Sequence, residues 1–481
     1  MLAVVFGATG YVGTNLVPAL KAAGHRVRAV GRRLDALEAR EWGPDVTCLK
    51  ADALRPESLP NALAGADIAY YLVHSMAAGS RFPELDRQAA VNFREAAAKA
   101  GLRRIIYLGA LQPPAQGSVH IESRRETGDI LRAGSVPVTE LRAGIIIGPG
   151  SAAFEVIRDL VFHLPAMVTP RWVRSRTQPI ALDDIVTYLV RVLEVDATVG
   201  GIFEVGGADV LSYADMMRDF GALVGRHPRI LPLPMLSPHL SSLWLSLVTA
   251  VPTNVARALI GGLEHDLLVD DQALRALIPM PLKSYRAAVE TALSAEKNAL
   301  ERPRWVEGSM LHRRNRPDFA FYAKHLRVEG KTEASADALW RQIGSLGGEN
   351  GYYFLDILWQ MRGVFDSLVG GVGMRRGRPA GGALAVGDAL DFWRVIGLEP
   401  GRRLTLMAEM RIPGSATFEL EIRSPLEGVR SISVTAHFHP AGVAGITYWN
   451  ALLPIHKLLF YGLIREIIRR AERDEREAAL R

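Results

Sequence analysis

The 481-residue sequence predicts two folded domains: an α/β domain built on a doubly wound parallel sheet, and then an α+β domain. Strand and helix patterns alternate through roughly the first 200 residues, which is typical of a parallel sheet with helices on both faces. The alternation ends after a basic, proline-containing stretch, and short strands rich in aromatic and β-branched residues follow it. We expect domain 1 at residues 1–295, a linker at 296–317 and domain 2 at 318–481.

Domain 1 is predicted from short apolar runs separated by segments with apolar residues at helical spacing. The predicted strands are residues 2–6, 26–30, 47–50, 68–72, 104–108, 138–141 and 201–205. The predicted helices include residues 13–23, 85–100 and 122–133. Asp183 and Asp184 are expected to cap a further helix, and Ser212 to cap the one after the last strand. Residues 205–290 are expected to form a small extension on the substrate side.

Domain 2 is predicted to be a curved antiparallel sheet around a long C-terminal helix, the helix-grip arrangement. Its predicted strands are residues 319–328, 390–396, 403–411, 416–423 and 430–438, with a capped helix at 335–343. An apolar stripe marks the buried face of the long helix: Leu452, Ile455, Leu459, Leu463 and Ile467. The charged residues 472–481 are expected to fray.

A glycine-rich turn links the first strand to the first helix and has the spacing G-x-x-G-x-x-G. Gly7 permits a tight turn, Gly10 lets the backbone approach a pyrophosphate, and Gly13 lets the helix pack closely on the strand. The start of the helix then directs N–H groups at phosphate. A glycine turn that binds nothing is the alternative. The residues predicted to contact a dinucleotide here are Gly7, Thr9, Gly10, Tyr11, Val12 and Gly13.

The end of the second strand predicts the choice of cofactor. Arg32 and Arg33 stand where NAD-selective proteins usually place a carboxylate, and a guanidinium suits the 2′-phosphate of NADP(H). Two solvated arginines that start a helix are the alternative. Asp52 is placed to accept from the adenine amino group, or equally to cap the next turn. His74 follows the fourth strand and is expected near the nicotinamide, although it is also a plausible loop residue.

Composition limits the partners. The net charge of +6 and the pI of about 9.4 are modestly basic, and no nucleic-acid module is visible, so we expect no nucleic-acid partner. The basic stretches can instead attract acidic ligands or anionic lipid, which makes peripheral membrane contact a possible property. The apolar segment 240–251 is shorter than the ~20 residues of a membrane span. With a strand starting at residue 2 we expect no signal peptide and a cytoplasmic protein. One cysteine excludes an internal disulfide, no metal site is expected, and the oligomeric state stays open.

The motifs GATGYVG, VGRR, Ala51-Asp52 and RAGIIIGPGS resemble an atypical, NmrA-like short-chain dehydrogenase/reductase over about residues 1–290. That branch includes bacterial proteins described as predicted nucleoside-diphosphate-sugar epimerases. The resemblance implies a Rossmann fold with bound NAD(P). The remainder resembles a bacterial domain of unknown function that follows such reductases, on residues 351–353, 358–359, 362–363, 369–373, 375–378, 387–388 and 391–394. That half is similar to polyketide-cyclase and lipid-transfer (START-like) folds.

The chain departs from the usual Tyr-x-x-x-Lys catalytic pair of this family. His120 stands in the Tyr position and Arg124 in the Lys position, and Gly109 and Ala110 replace the usual hydroxyl residue. Arg124 stays protonated, so it can fix the ribose and supply charge but cannot relay protons. His120 can donate or accept a proton near neutral pH. The alternative is a degenerate site that only binds nucleotide.

Three functions follow from these residues. The leading hypothesis is an NADP(H)-dependent oxidoreductase that acts on a hydrophobic small molecule held by domain 2. The second is a catalytically silent NADP(H)-sensing or assembly protein. The third, an NDP-sugar epimerase-like enzyme, is weakened by the missing Tyr and by the apolar second domain.

Overall fold

The computed structural model describes residues 1–38, 40, 42–75, 81–113, 118–149, 151–164, 166–233, 266–301, 324–368, 384–385, 387–426, 429–440 and 442–479. The chain divides into two compact units, Met1–Leu300 and Glu301–Arg481, called the first and second units below. Three predictions lie wholly or partly outside the described residues: the apolar segment 240–251, most of the linker 296–317 and the first five residues of the predicted strand 319–328. None of the described helices is both long and apolar enough to cross a membrane.

The first unit is built on a parallel sheet of seven strands in the described residues, in the order β11-β6-β5-β4-β1-β2-β3. These strands are β1 (Leu2–Phe6), β2 (Arg26–Gly31), β3 (Thr47–Lys50), β4 (Ile68–Tyr71), β5 (Arg104–Ala110), β6 (Val138–Ala143) and β11 (Ile202–Val205). Their side chains form two buried apolar clusters, as expected for a sheet covered on both faces. The strand order reverses direction between β1 and β4, and ligands bind beyond the carboxyl ends of the strands at such a switch point. The predicted doubly wound sheet is confirmed.

Short strands extend the first unit beyond this sheet: β7 (Ile146–Ile147), β8 (Ala166–Pro170), β9 (Arg176–Thr177), β10 (Ile180–Ala181), β12 (Leu211–Ser212) and β13 (Arg229–Leu233). The helices are α1 (Tyr11–Ala22), α2 (Leu34–Glu38), α3 (Leu59–Leu63), α4 (Phe82–Lys99), α5 (Val119–Arg132), α6 (Ala152–His163), α7 (Leu182–Arg191), α8 (Tyr213–Leu223), α9 (Gln272–Leu277) and α10 (Tyr285–Glu301). The segment predicted as a substrate-side extension thus contains short strands and helices packed beside the sheet.

The described caps differ from the predicted ones at α7. Ser212 caps α8 through a reciprocal capping box with Asp215, as predicted. At α7, however, the cap is Ala181, and Asp183 and Asp184 lie in the first turn. There Asp184 accepts a hydrogen bond from the backbone of Lys283 (2.8 Å), so its role is to join α7 to the segment before α10. Helix α10 continues to Glu301, past residue 296, where the linker was predicted to begin.

The second unit is an antiparallel sheet in the order β14-β19-β18-β17-β16-β15. Its strands are β14 (Lys324–Thr332), β15 (Ala389–Leu390), β16 (Trp393–Glu399), β17 (Arg403–Ala408), β18 (Gly414–Leu426) and β19 (Val429–Pro440). Its helices are α11 (Ala336–Gly344), α12 (Asp356–Leu368) and α13 (Gly442–Ala479). The predicted combination of an antiparallel sheet with a long C-terminal helix is confirmed, whereas the START-like relationship stays a prediction.

Aromatic side chains dominate the core of the second unit. Tyr352 stacks on Trp359 with ring centroids 4.6 Å apart, and Phe418 contacts both Trp393 and Phe460 of the long helix at 5.4 and 5.2 Å. Leu459, Leu463 and Ile467 of α13 are buried in the same cluster. Each such pair of rings contributes about 0.5–1.5 kcal/mol beyond the area that it buries.

Three predictions for the second unit were wrong in detail. The predicted strand 390–396 is a hairpin, because Asp391 adopts a left-handed φ of 52° and its buried carboxylate accepts a hydrogen bond from Tyr352 (3.0 Å). Residues 472–479 do not fray: Glu472 accepts from Thr332 at 2.8 Å, which ties the last turns of α13 to β14. Ile455, predicted on the buried stripe, is 43% exposed.

Candidate functional site

The glycine-rich turn has the geometry that a dinucleotide site needs. Gly7 has a φ of 98°, and a Cβ there would lie 2.9 Å from the Leu72 carbonyl oxygen of the neighbouring strand end. A Cβ on Gly13 would lie 2.4 Å from the Gly7 carbonyl oxygen, so helix α1 can approach the turn only with glycine at this position. The turn closes against β2, whose Val30 carbonyl accepts from the N–H groups of Gly7 (3.0 Å) and Ala8 (3.1 Å).

Helix α1 offers its start to an anion. Its cap residue is Gly10, with no side-chain cap bond, and its first turn carries no acidic residue. A Cβ on Gly10 would meet only the Gly7 carbonyl oxygen, at 3.1 Å, so the space on its other side admits a ligand. The N–H groups and the positive dipole end of such a helix bind phosphate. The residues present therefore fit the pyrophosphate of a dinucleotide, with Tyr11 and Val12 as the first residues of the helix.

Two residues that the sequence analysis missed hold this turn from behind. The buried Arg40 guanidinium donates to the Thr9 carbonyl at 3.0 Å, and Trp42 Nε1 donates to the Thr14 carbonyl at 3.1 Å. A second contact fixes the side chain of Tyr11, since a Cβ on Gly148 would lie 2.5 Å from the Tyr11 hydroxyl oxygen. No local motif signals Arg40, because its partner lies 31 residues earlier in the chain.

The residues predicted to select the cofactor divide into two groups. Arg32 and Arg33 are exposed directly after β2, at the carboxyl edge of the sheet where the turn lies. Arg33 also begins α2, since its carbonyl accepts from the Leu37 N–H at 3.3 Å. Asp52 uses one carboxylate oxygen to accept from the Leu54 N–H at 3.0 Å. The capping alternative for Asp52 is therefore the one that its contacts support.

A chain of three side chains lies at the carboxyl ends of β4 and β5. His74, three residues after β4, places Nδ1 2.7 Å from Asp86 Oδ2 and Nε2 3.0 Å from His120 Nδ1. Asp86 belongs to α4 and is 3% exposed, and it also accepts from the Ser75 N–H (2.7 Å) and the Ser123 hydroxyl (3.1 Å). The structure thus brings together His74 and His120 and adds Asp86 and Ser123, which the sequence analysis did not single out.

The order of the protons along this chain follows from the carboxylate. An ionised carboxylate can only accept, so the proton that lies between Asp86 and His74 belongs to Nδ1 of His74. In neutral His74 the Nε2 atom is then an acceptor, and the proton between the rings belongs to Nδ1 of His120. In neutral His120 the other ring nitrogen, Nε2, therefore carries no proton. It is not bonded to His74, so it can accept a proton from a molecule bound beside it.

Burial and charge keep the two histidines neutral near pH 7, beside the ionised carboxylate of Asp86. Burial lowers the pKa of His120 to about 3, helped by His74 and by the positive charge of Arg124. Burial also lowers the pKa of His74, although its hydrogen bond to Asp86 acts in the opposite direction. Burial would raise the pKa of Asp86, but the hydrogen bonds from His74 and Ser75 outweigh it and hold that pKa below its usual value.

Arg124 makes backbone and ring contacts that the sequence analysis did not predict. Its guanidinium donates to the Leu108 carbonyl and, at 3.4 Å, to the Val73 carbonyl, and it lies 5.0 Å from the centre of the Tyr107 ring. The Tyr107 hydroxyl in turn donates to the Arg124 carbonyl at 2.9 Å. Arg124 therefore joins the start of α5 to the ends of β4 and β5 and supplies a fixed positive charge beside the histidines. Contact with a ribose stays a prediction.

Family comparisons divide the chain in the same way as the structure. A family described as NAD(P)H-binding matches residues 7–143, which contain the glycine turn, both histidines and Arg124. The first unit therefore contains an NAD(P)H-binding domain, matched over residues 7–143. A family described as a protein of unknown function (DUF2867) matches residues 319–463, within the second unit.

Individual proteins of known name are also similar to the part of the chain that contains the NAD(P)H-binding domain. Ceramide reductase of Caulobacter vibrioides is 27% identical over 237 residues, which cover 48% of this chain and 73% of the relative. The NADPH-dependent quinone oxidoreductase of Escherichia coli, solved with NADPH, is 19% identical, with a TM-score of 0.50 over 60% of this chain and 99% of that one. The triphenylmethane reductase of a Citrobacter species is 19% identical, with a TM-score of 0.50 over 61% of this chain and 99% of that one. The two structures show a shared fold.

The lowered pKa of His120 predicts how the NAD(P)H-binding domain responds to acid. Because the folded pKa of about 3 lies below the unfolded value of about 6.5, the unfolded chain binds this proton first. The contribution to stability is complete above pH about 6.5 and is lost toward pH about 3, by at most about 1.4 kcal/mol per pH unit. The relevant thermal unfolding transition is the one whose midpoint temperature NAD(P)H raises. For that transition, His120→Gln should weaken the loss of stability below pH about 6.5. His227→Gln, at an exposed histidine, should leave it unchanged, and equal declines in both variants would contradict the assignment.

Proposed function

We propose that the chain is an NADP(H)-dependent reductase of a carbonyl group on a hydrophobic small molecule, with His120 as the group that exchanges the proton. The observation that carries the proposal is the hydrogen-bonded chain Asp86–His74–His120, next to the turn that binds the cofactor. A domain that only senses nucleotide has no need for two histidines hydrogen-bonded in series to a buried carboxylate. Three relatives whose names specify reductases or an oxidoreductase add support.

The nicotinamide supplies or takes up a hydride when the cofactor is bound, and the residues of the chain handle the proton. For reduction, His120 Nε2–H gives its proton to the carbonyl oxygen of the substrate as the hydride reaches the carbonyl carbon. His120 Nδ1 then takes the proton from Nε2 of a protonated His74, which keeps its other proton on Nδ1, hydrogen-bonded to Asp86. Asp86 stays ionised throughout, and the two rings together lose one proton to the product.

The direction of catalysis is therefore linked to pH. After reduction both rings are neutral and His120 carries a bare Nε2, which is the resting arrangement derived above. This arrangement accepts a proton from an alcohol and suits the reverse oxidation. Reduction needs one more proton on the histidine pair, and the negative charge of a bound dinucleotide raises the pKa of nearby histidines in the direction that favours its uptake.

His74 takes a new role in this scheme. Both of its ring nitrogens are occupied by Asp86 and His120, so we assign it to proton transfer and not to direct cofactor binding. Its ring is fixed further by an edge contact with Phe82, with centroids 5.8 Å apart. Ser123, whose hydroxyl donates to Asp86, holds the carboxylate from the α5 side.

The preference for NADP(H) and the apolar substrate complete the proposal. Arg32 and Arg33 stand at the end of β2 where a 2′-phosphate would lie, and guanidinium groups suit this anion. The Caulobacter relative is named for ceramide, a lipid, which supports an apolar substrate for this chain. We assign the second unit to holding or delivering that substrate.

Asp86→Asn tests the proton chain. The amide removes the negative charge that stabilises protonated His74 and offers an N–H where the chain needs an acceptor. NADPH oxidation with a panel of quinones, enones and long-chain aldehydes should slow by on the order of 10²–10⁴-fold, the size of a general acid–base contribution. The dissociation constant for NADPH, measured by fluorescence, should be nearly unchanged. Because the Asp86 carboxylate stabilises protonated His74, its loss should also shift the pH dependence of the rate to lower pH.

The matched control is Asp129→Asn, which changes an exposed carboxylate on α5 that pairs with Arg132. It should retain the wild-type rate. Wild-type turnover in Asp86→Asn would remove the chain from the mechanism. Tight NADPH binding with no turnover of any substrate by the wild type would favour a sensing protein.

Arg32→Ala tests the cofactor preference. Loss of a charge-assisted contact to the 2′-phosphate should weaken NADPH binding by about 1.5–3 kcal/mol and leave NADH binding unchanged. Arg26→Ala, an exposed arginine at the opposite end of β2, should affect neither cofactor. Equal affinities of the wild type for NADPH and NADH would contradict the NADP(H) preference.

A further inference from the structure

Helix α12 of the second unit carries its apolar side chains on the solvent side. Its buried residues are Trp359, Gly363 and Asp366, one of them an acid. Among its exposed residues Gln360 is polar. The others are large and apolar, with 59% to 80% of their surface accessible: Ile357, Met361, Val364, Phe365 and Leu368. Their spacing of four, three, one and three places them on one side of the helix. A helix in contact with water normally has the opposite pattern.

The first half of α13 continues this apolar area. Its large exposed apolar residues are Val443, Ile455, Leu458 and Tyr461, at 43% to 67% exposure. The two helices lie side by side: Phe354, just before α12, fills the space above Gly462, and Arg362 lies 5.9 Å from the rings of both Phe365 and Tyr448. We call the two exposed apolar faces together the α12–α13 surface.

The exposed charges of α13 beside this surface are positive, and the nearby Glu466 pairs with Arg469 and Arg470. Residues 442–464 contain no Asp or Glu, and Lys457 is the Lys or Arg residue within this range. Lys457 is exposed, and so is Arg465, which directly follows the range. The two acids of α12 face inward: Asp356 accepts from the Tyr352 N–H at 2.9 Å, and the fully buried Asp366 accepts from the Arg411 N–H at 2.7 Å. The α12–α13 surface is therefore apolar and flanked by positive charge.

We propose that the α12–α13 surface docks on the face of an anionic lipid bilayer. Helices that lie in a membrane interface combine an apolar face with Lys or Arg beside it, and anionic headgroups attract those cations. A second copy of the chain would add its own Lys457 and Arg465 to the interface, and like charges brought together there are unfavourable. The helices rest on the bilayer and do not cross it. Docking of this kind places the second unit where apolar molecules are dissolved.

Vesicle flotation of the full-length protein tests the docking. The wild type should float with vesicles of phosphatidylcholine and phosphatidylglycerol, and less with phosphatidylcholine alone. Phe365→Ser with Leu368→Ser should lower the partition coefficient at least about tenfold, since two apolar side chains are lost from the interface. Lys457→Glu with Arg465→Glu should lower binding to the anionic vesicles alone, by about tenfold or more. Added salt should weaken wild-type binding without abolishing it.

The control variant is Val210→Ser with Leu231→Ser, which removes two exposed apolar side chains from the first unit. It should float as the wild type does. NADPH-induced thermal stabilisation, measured for all variants, reports on the cofactor site separately, so failure of docking is distinguishable from failure of the proposed reductase.

The proposal is overturned if the wild type does not float, or if all three double variants float equally. It is also overturned by a dimer, seen in light scattering, that Phe365→Ser with Leu368→Ser dissociates while vesicle binding is absent. That result would assign the surface to a second copy. Should the serine variant fail to fold, the charge-reversal variant decides between the same outcomes.

Discussion

The hydrogen bond between the buried Asp86 carboxylate and His74 Nδ1 is the interaction on which the proposed chemistry depends. Removing a carboxylate from water is costly, and here three donors compensate: His74, the Ser75 N–H and the Ser123 hydroxyl. Because Asp86 can only accept, it fixes the tautomer of His74 and, through His74, that of His120. One buried charge thus determines which atom faces the substrate.

The fold follows from local signals to a large extent. The glycine spacing, the alternation of strands and helices, and the capping serine at residue 212 all predict structure correctly, because each acts within a few residues. The proton chain does not act locally. Asp86 lies on an amphipathic helix 12 residues after His74, and His120 lies 46 residues after it, so only the packing of α4 and α5 against the sheet joins them. Arg40 behind the glycine turn was missed for the same reason.

In the second unit the sequence pattern misled where periodicity was read as burial. Ile455 shares the spacing of Leu459 and Leu463, yet it is exposed. A step of four residues turns about 40° too far around a helix of 3.6 residues per turn, so Ile455 lies about 80° from Leu463 and off the buried face. Helix α12 shows the same effect more strongly, with an acid inside and apolar residues outside. Periodicity identifies an apolar face, but it does not say whether the protein's own core or something outside the protein, such as a bilayer, covers that face.

Nitrogen NMR of histidine labelled with ¹⁵N measures the central claim directly, since it distinguishes protonated from bare ring nitrogens. At pH near 7 the account predicts that His74 and His120 are both neutral, with the proton on Nδ1 of each ring and a bare Nε2 on His120. His120→Gln and His74→Gln assign the signals. A His120 ring with its proton on Nε2 and a bare Nδ1, or a His74 with a bare Nδ1, would contradict the proton order that Asp86 is held to impose.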